Sequence, residues 1–305
     1  MYVNDMARAV DCDLLLYADD SCLIFRDKDI EKIDSTLNRN FNSLCDWFLE
    51  NKLSIHFGED KTKSILFSRK KCKNLKKLNI SRGEIKIKQH SMVTYLGCVL
   101  DENLSGESMS TKRLGKINGK LKFLYRKQSF LDNSLRRLLL NALIQPHFYY
   151  ACTSWFPTLN KRLSKKMQSA QNKCIRFYLN LKNTAHVGAT EFKAINWLPT
   201  KNRVDQHTCV NIMKFFKGTA PAYTNEIFQP VNQSRVTRRS KFKLSLPFRK
   251  SSAGQKCLSY MGPKIWNSLS SDLKSANSIN SFKHKIKDHF FQNIQREEQD
   301  IYVFY

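Results

Sequence analysis

Two adjacent aspartates, Asp19 and Asp20, interrupt the most apolar early run of the chain, LLLYADDSCLIF at residues 14–25. Short apolar runs at 14–17 and 22–25 flank Ala18-Asp19-Asp20-Ser21, the pattern of a tight β-hairpin with its acids at or beside the turn. Two carboxylates held there repel each other and lose solvation, so the arrangement is unfavourable without a positive charge nearby. Mg²⁺ fits that need, because it prefers carboxylate, water and phosphate oxygens. In two-metal phosphoryl or nucleotidyl transfer, a pair of ions about 4 Å apart activates the attacking hydroxyl and stabilises the leaving oxygen. An isolated Asp-Asp is also an ordinary turn signal, and the surrounding pattern has to decide between the two.

Beyond the hairpin, Ile30, Ile33, Leu37, Phe41, Leu44 and Phe48 recur at helical spacing and predict an amphipathic helix over residues 29–50. Leu53, Ile55 and Phe57 alternate, Gly58-Glu59-Asp60 breaks the run and Ser64-Ile65-Leu66-Phe67 resumes it, which predicts a strand pair. The lysine-rich stretch at 69–77 reads as a solvated loop, and Ile85, Ile87 and VTYLGCVLD at 93–101 read as a further hairpin. After residue 108 the period becomes helical. Leu114, Ile117, Leu121 and Leu124 form one stripe; Asp132-Asn133-Ser134 caps a second helix that Pro146 should end or kink. A third helix spans 161–181, with Leu163, Met167, Ala170, Cys174 and Phe177 inward, and a fourth runs from about Lys201 to Gly218 and Pro221. Phe242, Leu244, Leu246 and Phe248 alternate like a strand, and Ser281 caps a last helix. The fold class is α+β: hairpins, a helix and antiparallel strands over 1–107, then mainly helices over 108–185 and 186–305.

Charge separates these parts. Residues 1–107 hold 17 basic and 17 acidic side chains, whereas 108–305 hold 35 and 9, so the whole excess of +26 lies in the second part. Residues 108–190 contain 16 basic residues against Asp132 alone, and 227–271 contain nine and no acid. Stretches so poor in acid repel themselves unless a polyanion neutralises them. Lys112, Arg113, Lys116, Lys120, Arg136, Arg137, Lys165, Lys166, Lys173 and Arg176 are therefore candidates for the phosphates of a duplex, with affinity but no choice of sequence. Arg235, Arg238, Arg239, Lys241 and Lys243 are candidates for template RNA or target DNA. Trp197, Tyr260 and Trp266 have the chemistry to stack on bases, although core packing is the commoner use of a tryptophan. The nine cysteines stand singly, without metal-ligand spacing, and read as reduced thiols with no disulfide partner. No run reaches the roughly 18 apolar residues of a membrane span. An intracellular protein is expected, in nucleus or cytoplasm, with a nucleic-acid partner favouring the nucleus.

Seven segments, in the family's order along the chain, resemble the reverse transcriptases of non-LTR, LINE-type retrotransposons. LYADD at 16–20 resembles their catalytic hairpin, MYVNDM at 1–6 their LYINDL, GEDKTKSILF at 58–67 their SxxKTKxMxF, and VTYLGCVLD their primer-grip hairpin KYLGVxLD. Residues 134–156 resemble the thumb pattern YxSLIxPxLxYGxxVW; residues 195–228 and 262–291 resemble the LHWLP and APxLWNSLP segments that follow it. The resemblance implies a partial polymerase palm over 1–107, a helical thumb over 108–185 and a C-terminal region over 186–305. It makes Asp19 and Asp20 the ligands of two Mg²⁺ ions, with Asp19 the stricter of the pair. Lys61 becomes a proton donor to departing pyrophosphate, and Tyr17, Ala18, Tyr95, Leu96 and Gly97 become the residues that position the primer. The implied partners are an RNA template, a DNA primer-template duplex and the N-terminal portion of the polymerase.

Such an enzyme also uses an aspartate from an upstream palm strand, and only 18 residues precede Asp19. Asp5, Asp11 and Asp13 are too close in the chain to stand in for that strand, though Asp13 can sit near the hairpin. The expectation is therefore a fragment of an RNA-directed DNA polymerase without synthesis activity alone, whose early sheet edges and apolar faces stay exposed. Two alternatives stand beside it: a nucleic-acid-binding module that uses only its basic helices, and an unselected retrotransposon relic.

Overall fold

A computed structural model of the chain describes residues 5–59, 61–68, 77–231 and 242–303. It is α+β, in two compact units, Met1–Leu104 and Ser105–Tyr305.

In the first unit a 3₁₀ turn at Met6–Ala9 leads into strands β1 (Asp13–Tyr17) and β2 (Asp20–Ile24), which pair antiparallel. Helix α1 (Ile30–Glu50) follows, its first turn capped by the Asp29 carboxylate, which accepts from the Glu31 N–H at 2.9 Å. The apolar face of α1 carries two small cores. Phe41 and Cys45 pack with Leu78, Ile80 and Ile87, while Leu44 and Trp47 pack with Met6. Two short hairpins complete the unit: β3 (Ser81–Arg82) with β4 (Ile85–Lys86), and β5 (Met92–Tyr95) with β6 (Cys98–Asp101).

The polar side of α1 is also structural. Asp34, Asn38, Asn42 and Asp46, one turn apart, form a ladder against residues 79–82. Asp34 accepts from the Asn79 N–H at 2.6 Å and Asn38 from the Ser81 N–H at 3.0 Å. Asn42 donates to the Ser81 carbonyl at 3.0 Å, and Asp46 pairs with Arg82. Side chains of a helix thus supply partners that a neighbouring strand would otherwise provide.

The predicted strand pair around Gly58 does not form. Along 53–57 burial alternates as expected, with Ile55, Phe57 and later Leu66 packed on the α1 core. Among the described residues, the pairing of this segment with another is confined to Ser64, whose N–H donates to the Lys88 carbonyl at 3.2 Å and whose carbonyl accepts from the His90 N–H at 2.8 Å. Alternating burial needs only an extended chain over an apolar surface, so it does not require a ladder.

The second unit is helical: α2 (Glu107–Arg126), α3 (Asn133–Leu139), α4 (Gln145–Tyr149), α5 (Cys152–Trp155), α6 (Lys161–Leu179) and α7 (Ala189–Ile195) come first. They are followed by α8 (Thr200–Phe216), α9 (Thr224–Ile227), α10 (Ser252–Gln255), α11 (Leu258–Ser268), α12 (Ser271–Lys274) and α13 (Ile279–Val303). Asp132 caps α3, accepting from the Leu135 N–H at 2.7 Å, and Asn160 caps α6, accepting from the Leu163 N–H at 2.9 Å. Pro146 neither ends nor breaks the run after Asp132. A π-helical turn, Leu140–Ile144, links α3 to α4 and accommodates the proline in the first turn of α4. Gly106 enters α2 at φ +68, where a Cβ would meet Thr158 Oγ1 at 2.5 Å, so side chain and conformation both demand glycine.

Helix α8 is surrounded by α4, α5, α6, α11 and α13. Hence Val204, Cys209, Ile212 and Met213 are buried together with polar Asp205, Gln206 and Thr208. Trp266 stacks on Phe216 at 5.5 Å and donates to the Phe242 carbonyl at 2.6 Å; Trp197 donates to Asn141 Oδ1 at 2.8 Å. Both tryptophans are buried core residues and unavailable to stack on bases, while Tyr260 is half-buried. The strand expected over 242–248 reduces, among the described residues, to one bridge between Pro230 and Leu244: of its four apolar positions Leu244 is buried, and Leu246 and Phe248 are exposed. The last helix starts earlier than expected, and its cap is Ser278, whose Oγ accepts from the Ser281 N–H at 3.1 Å.

Candidate functional site

The β1–β2 hairpin closes through a two-residue turn, Ala18-Asp19, with Tyr17 opposite Asp20. Ala18 adopts φ +53, a left-handed conformation that costs a non-glycine residue about 1–2 kcal/mol. Strand alternation then fixes two faces. Leu14 and Leu23 turn toward the α1 cores; Tyr17 and Asp20, with Leu15 and Cys22, lie on the other face. Asp19 and Asp20 are both exposed, and neither has an ion-pair or side-chain hydrogen-bond partner among the described residues. Asp13 stays apart from them. It opens β1, roughly 13 Å along the strand from Tyr17, and pairs instead with Arg26 at 3.5 Å.

Tyr95 is near enough to the Asp20 face to feel its charge. Its phenol is held above the ordinary tyrosine range by burial first, then by Cys22 and by the negative charge of Asp20. Cys22 and Asp20 are two residues apart on β2, so the phenol senses the hairpin face that does not pack on α1. Tyr95 ends β5, and Leu96 (φ +45) with Gly97 (φ +73) forms the turn to Cys98. Gly97 is therefore a turn residue of a primed hairpin rather than a kink within a strand. Of the five primer-positioning candidates, Tyr17 and Ala18 thus stand on one hairpin and Tyr95, Leu96 and Gly97 on the other, all at hairpin ends.

Lys61 is exposed in a turn where its N–H donates to the Gly58 carbonyl at 2.9 Å. The bridge at Ser64 ties this turn to Lys88–His90, just ahead of β5.

The basic residues of the second unit divide by environment. On α2, Lys112 and Lys116 are exposed on one side with Arg126 and Phe123; Lys120 donates to the Leu143 carbonyl at 3.0 Å. Arg113 approaches His147 Nδ1 at 3.2 Å and lies over the Tyr150 ring at 5.3 Å. Burial foremost, then Lys120, Arg113 and Lys116, hold His147 down to about 4, which marks how crowded with cations this surface is. On α6, which packs against α2, Lys165, Lys166 and Lys173 are exposed, and Arg176 donates to the Ala185 carbonyl at 2.8 Å. Arg137 and Lys243 are exposed too.

Arg136 is a different case. It is 9% exposed, donates to the Gln128 carbonyl at 3.1 Å and lies 5.7 Å over the Phe177 ring, so it braces the packing of α3 on α6 and is withdrawn as a phosphate contact. Arg235, Arg238, Arg239 and Lys241 lie outside the described residues. Sequence reading left out Arg162, which shares the α6 face; its spacing of three and four residues to Lys165 and Lys166 was the available signal.

Among the described residues, no group of three or more His, Cys, Asp or Glu is arranged to hold a metal, and no helix is long and apolar enough to cross a membrane. The eight described cysteines are free thiols. Compared with protein-family models, curated proteins and solved structures, the chain finds no match.

Proposed function

We propose that the chain derives from an RNA-directed DNA polymerase of the non-LTR retrotransposon type, with the β1–β2 hairpin as part of its palm and α2 and α6 as part of its thumb. The observation that carries this reading is the pair of unpartnered, exposed carboxylates at a hairpin end, with Tyr95 of a second hairpin near enough to the Asp20 face to feel its charge. Such a donor set suits a hard cation: Asp19 and Asp20 would hold Mg²⁺, whose chemistry when bound is to stabilise charge on phosphate oxygens. Two carboxylates do not complete a two-metal centre, so the reading assigns this hairpin to a site finished by a carboxylate outside the described residues. Tyr17, Ala18 and the Tyr95–Gly97 turn would then support a primer end, Lys61 would neutralise departing pyrophosphate, and the lysines of α2 and α6 would follow the duplex backbone.

Primer extension tests this. Supplied with the fingers and upstream palm of a LINE-type polymerase, the chain is expected to extend oligo(dT) on poly(rA) with Mg²⁺, and Asp19→Asn is expected to abolish extension. A folded complex that binds primer-template yet never extends it would overturn the reading. The acid-poor faces of α2 and α6 favour one alternative, a nucleic-acid-binding module without catalysis, which predicts duplex binding unchanged by Asp19→Asn.

A further inference from the structure

Helices α6, α8 and α11 line an open cavity of about 340 Å³, and Lys165 is its one residue that the reading above also uses. The volume is within the range of small-ligand sites, roughly 300–1,000 Å³. Three features of its lining constrain what it takes. Phe156, Leu159, Met261 and Ile265 make apolar walls suited to a flat or hydrophobic body. Lys161, Lys165 and Lys201 stand around it, all exposed, and neither Lys161 nor Lys165 has a carboxylate partner among the described residues. Asp205, the only acid of the lining, is 8% exposed.

Asp205 is the unusual group. Lys201 Nζ donates to its Oδ2 at 2.7 Å, but Oδ1 has no partner among the described residues. The lysine head is 69% exposed while the carboxylate side chain is 11% exposed, so a solvated ammonium does little to offset the desolvation of the acid. Burial accordingly lifts the Asp205 carboxyl above the usual carboxylate range, against the pull of Lys201. The Oδ1 of a carboxylate that lines an open cavity is free to accept from a ligand that enters it. Lysines around the cavity disfavour a cationic ligand and favour an anionic one, so the donors have to be neutral N–H groups on a molecule that carries its negative charge elsewhere.

We propose that this cavity binds a guanine nucleotide, its N1–H and N2–H₂ edge donating to Asp205 and its phosphate held by Lys161 and Lys165. Guanine presents two parallel donors to one carboxylate, whereas the adenine edge offers one amino group beside an acceptor that would face the carboxylate oxygens. A uracil or cytosine base likewise brings a carbonyl against them. The inference rests on the cavity and does not require the polymerase reading, with which it shares one residue, Lys165.

Calorimetric titration of the full chain with GMP, AMP, CMP and guanosine tests it. GMP is expected to bind at least tenfold more tightly than AMP or CMP, and guanosine more weakly than GMP. Lys161→Gln with Lys165→Gln is expected to bring GMP to the affinity of guanosine and to leave guanosine unchanged. Asp205→Asn is expected to cost GMP at least tenfold and to erase the preference over AMP, while Met261→Trp fills the cavity without changing charge and should remove binding. Equal affinity for the three nucleotides, no GMP binding at millimolar concentration, or Asp205→Asn binding GMP as the parent does would each overturn the proposal. The wild-type comparison of nucleotides decides the matter even where a variant misfolds. A pentaribonucleotide with one central G among adenines separates the sources: binding ten times tighter than GMP identifies a guanine within a strand, and equal binding identifies the free nucleotide. An all-adenine pentamer matching it would count against the site. Loss of duplex binding through the α2 face, with GMP binding intact, would sink the polymerase reading and leave this one standing.

Discussion

Asp20 opens strand β2 and Tyr95 closes strand β5, and the carboxylate of the first helps to keep the proton on the phenol of the second. The phenol of the second hairpin thus feels the charge on the face that Asp20 shares with Cys22. Burial is the largest cause of the Tyr95 shift, so Asp20→Asn is expected to lower the phenol pKa only in part. Absorbance titration of the wild type and of Asp20→Asn, with Tyr95→Phe to assign the signal, checks this. An identical Tyr95 titration in both would separate the two hairpins.

The exposed lysines of α2 and α6 should act as phosphate contacts without base preference. Replacing Lys112 and Lys116, or Lys165 and Lys166, with Gln is expected to weaken duplex binding several-fold and to reduce the slope of log K against log salt by about 0.9 per lost contact. Loss should be the same for unrelated sequences. Arg136→Ala, by contrast, is expected to lower the melting temperature through about 1–3 kcal/mol of lost packing and hydrogen bonding. Calorimetric melts alongside filter binding distinguish the two behaviours.

Acid should destabilise the second unit through two histidines. His147 and His207 are both held down to about 4, each by burial first, with Lys120, Arg113 and Lys116 acting on His147 and Arg203 and Lys283 on His207. Their unfolded-state pKa is about 6.5, so below it the unfolded chain gains protons that the folded chain refuses. Stability is full above pH 6.5, falls from there toward pH 4, and loses no more from these groups below. Allowing for solvent around both rings, the loss is on the order of 1–2 kcal/mol each. Denaturant melts at pH 7, 5.5 and 4 with His147→Gln and His207→Gln should show the variants with a flatter profile. A polyanion bound across α2 should raise the His147 pKa, readable by imidazole NMR.

What could be read from residues alone follows a physical line. Apolar spacing located α1, α2 and α6, Gly218 and Pro221 marked the end of α8, and the Asp132 cap located α3, because all of these signals are local. The first hairpin was legible because two apolar runs flank a polar turn. The 53–67 segment was half legible: alternation reports which side chains are covered, not what the backbone pairs with. Phe242 to Phe248 misled because alternation does not make a ladder: among the described residues this segment pairs through one bridge, Pro230 to Leu244. The break at Pro146 was avoided by a π-helical turn, which no residue type marks. Arg136 lay hidden among phosphate candidates because a bracing arginine and a ligand-binding one have the same spacing. Asp205 showed no signal at all, since its burial depends on five helices meeting around α8.

The polar ladder on α1 gives the sharpest stability test. Asn38 and Asn42 look like a solvated helix face, yet they satisfy the backbone of Ser81 on both sides, Asn38 accepting from its N–H and Asn42 donating to its carbonyl. Alanine at either position leaves a half-buried backbone group without its partner, which costs about 1–2 kcal/mol. Asp46→Ala removes only the more exposed ion pair with Arg82, and such pairs contribute about 0–1 kcal/mol. The expected order of destabilisation in urea melts is therefore Asn38→Ala and Asn42→Ala well ahead of Asp46→Ala, with hydrogen exchange at the Ser81 amide accelerated by Asn38→Ala. An Asp46 effect equal to the asparagines would show that charge, rather than backbone satisfaction, docks residues 79–82 on the helix.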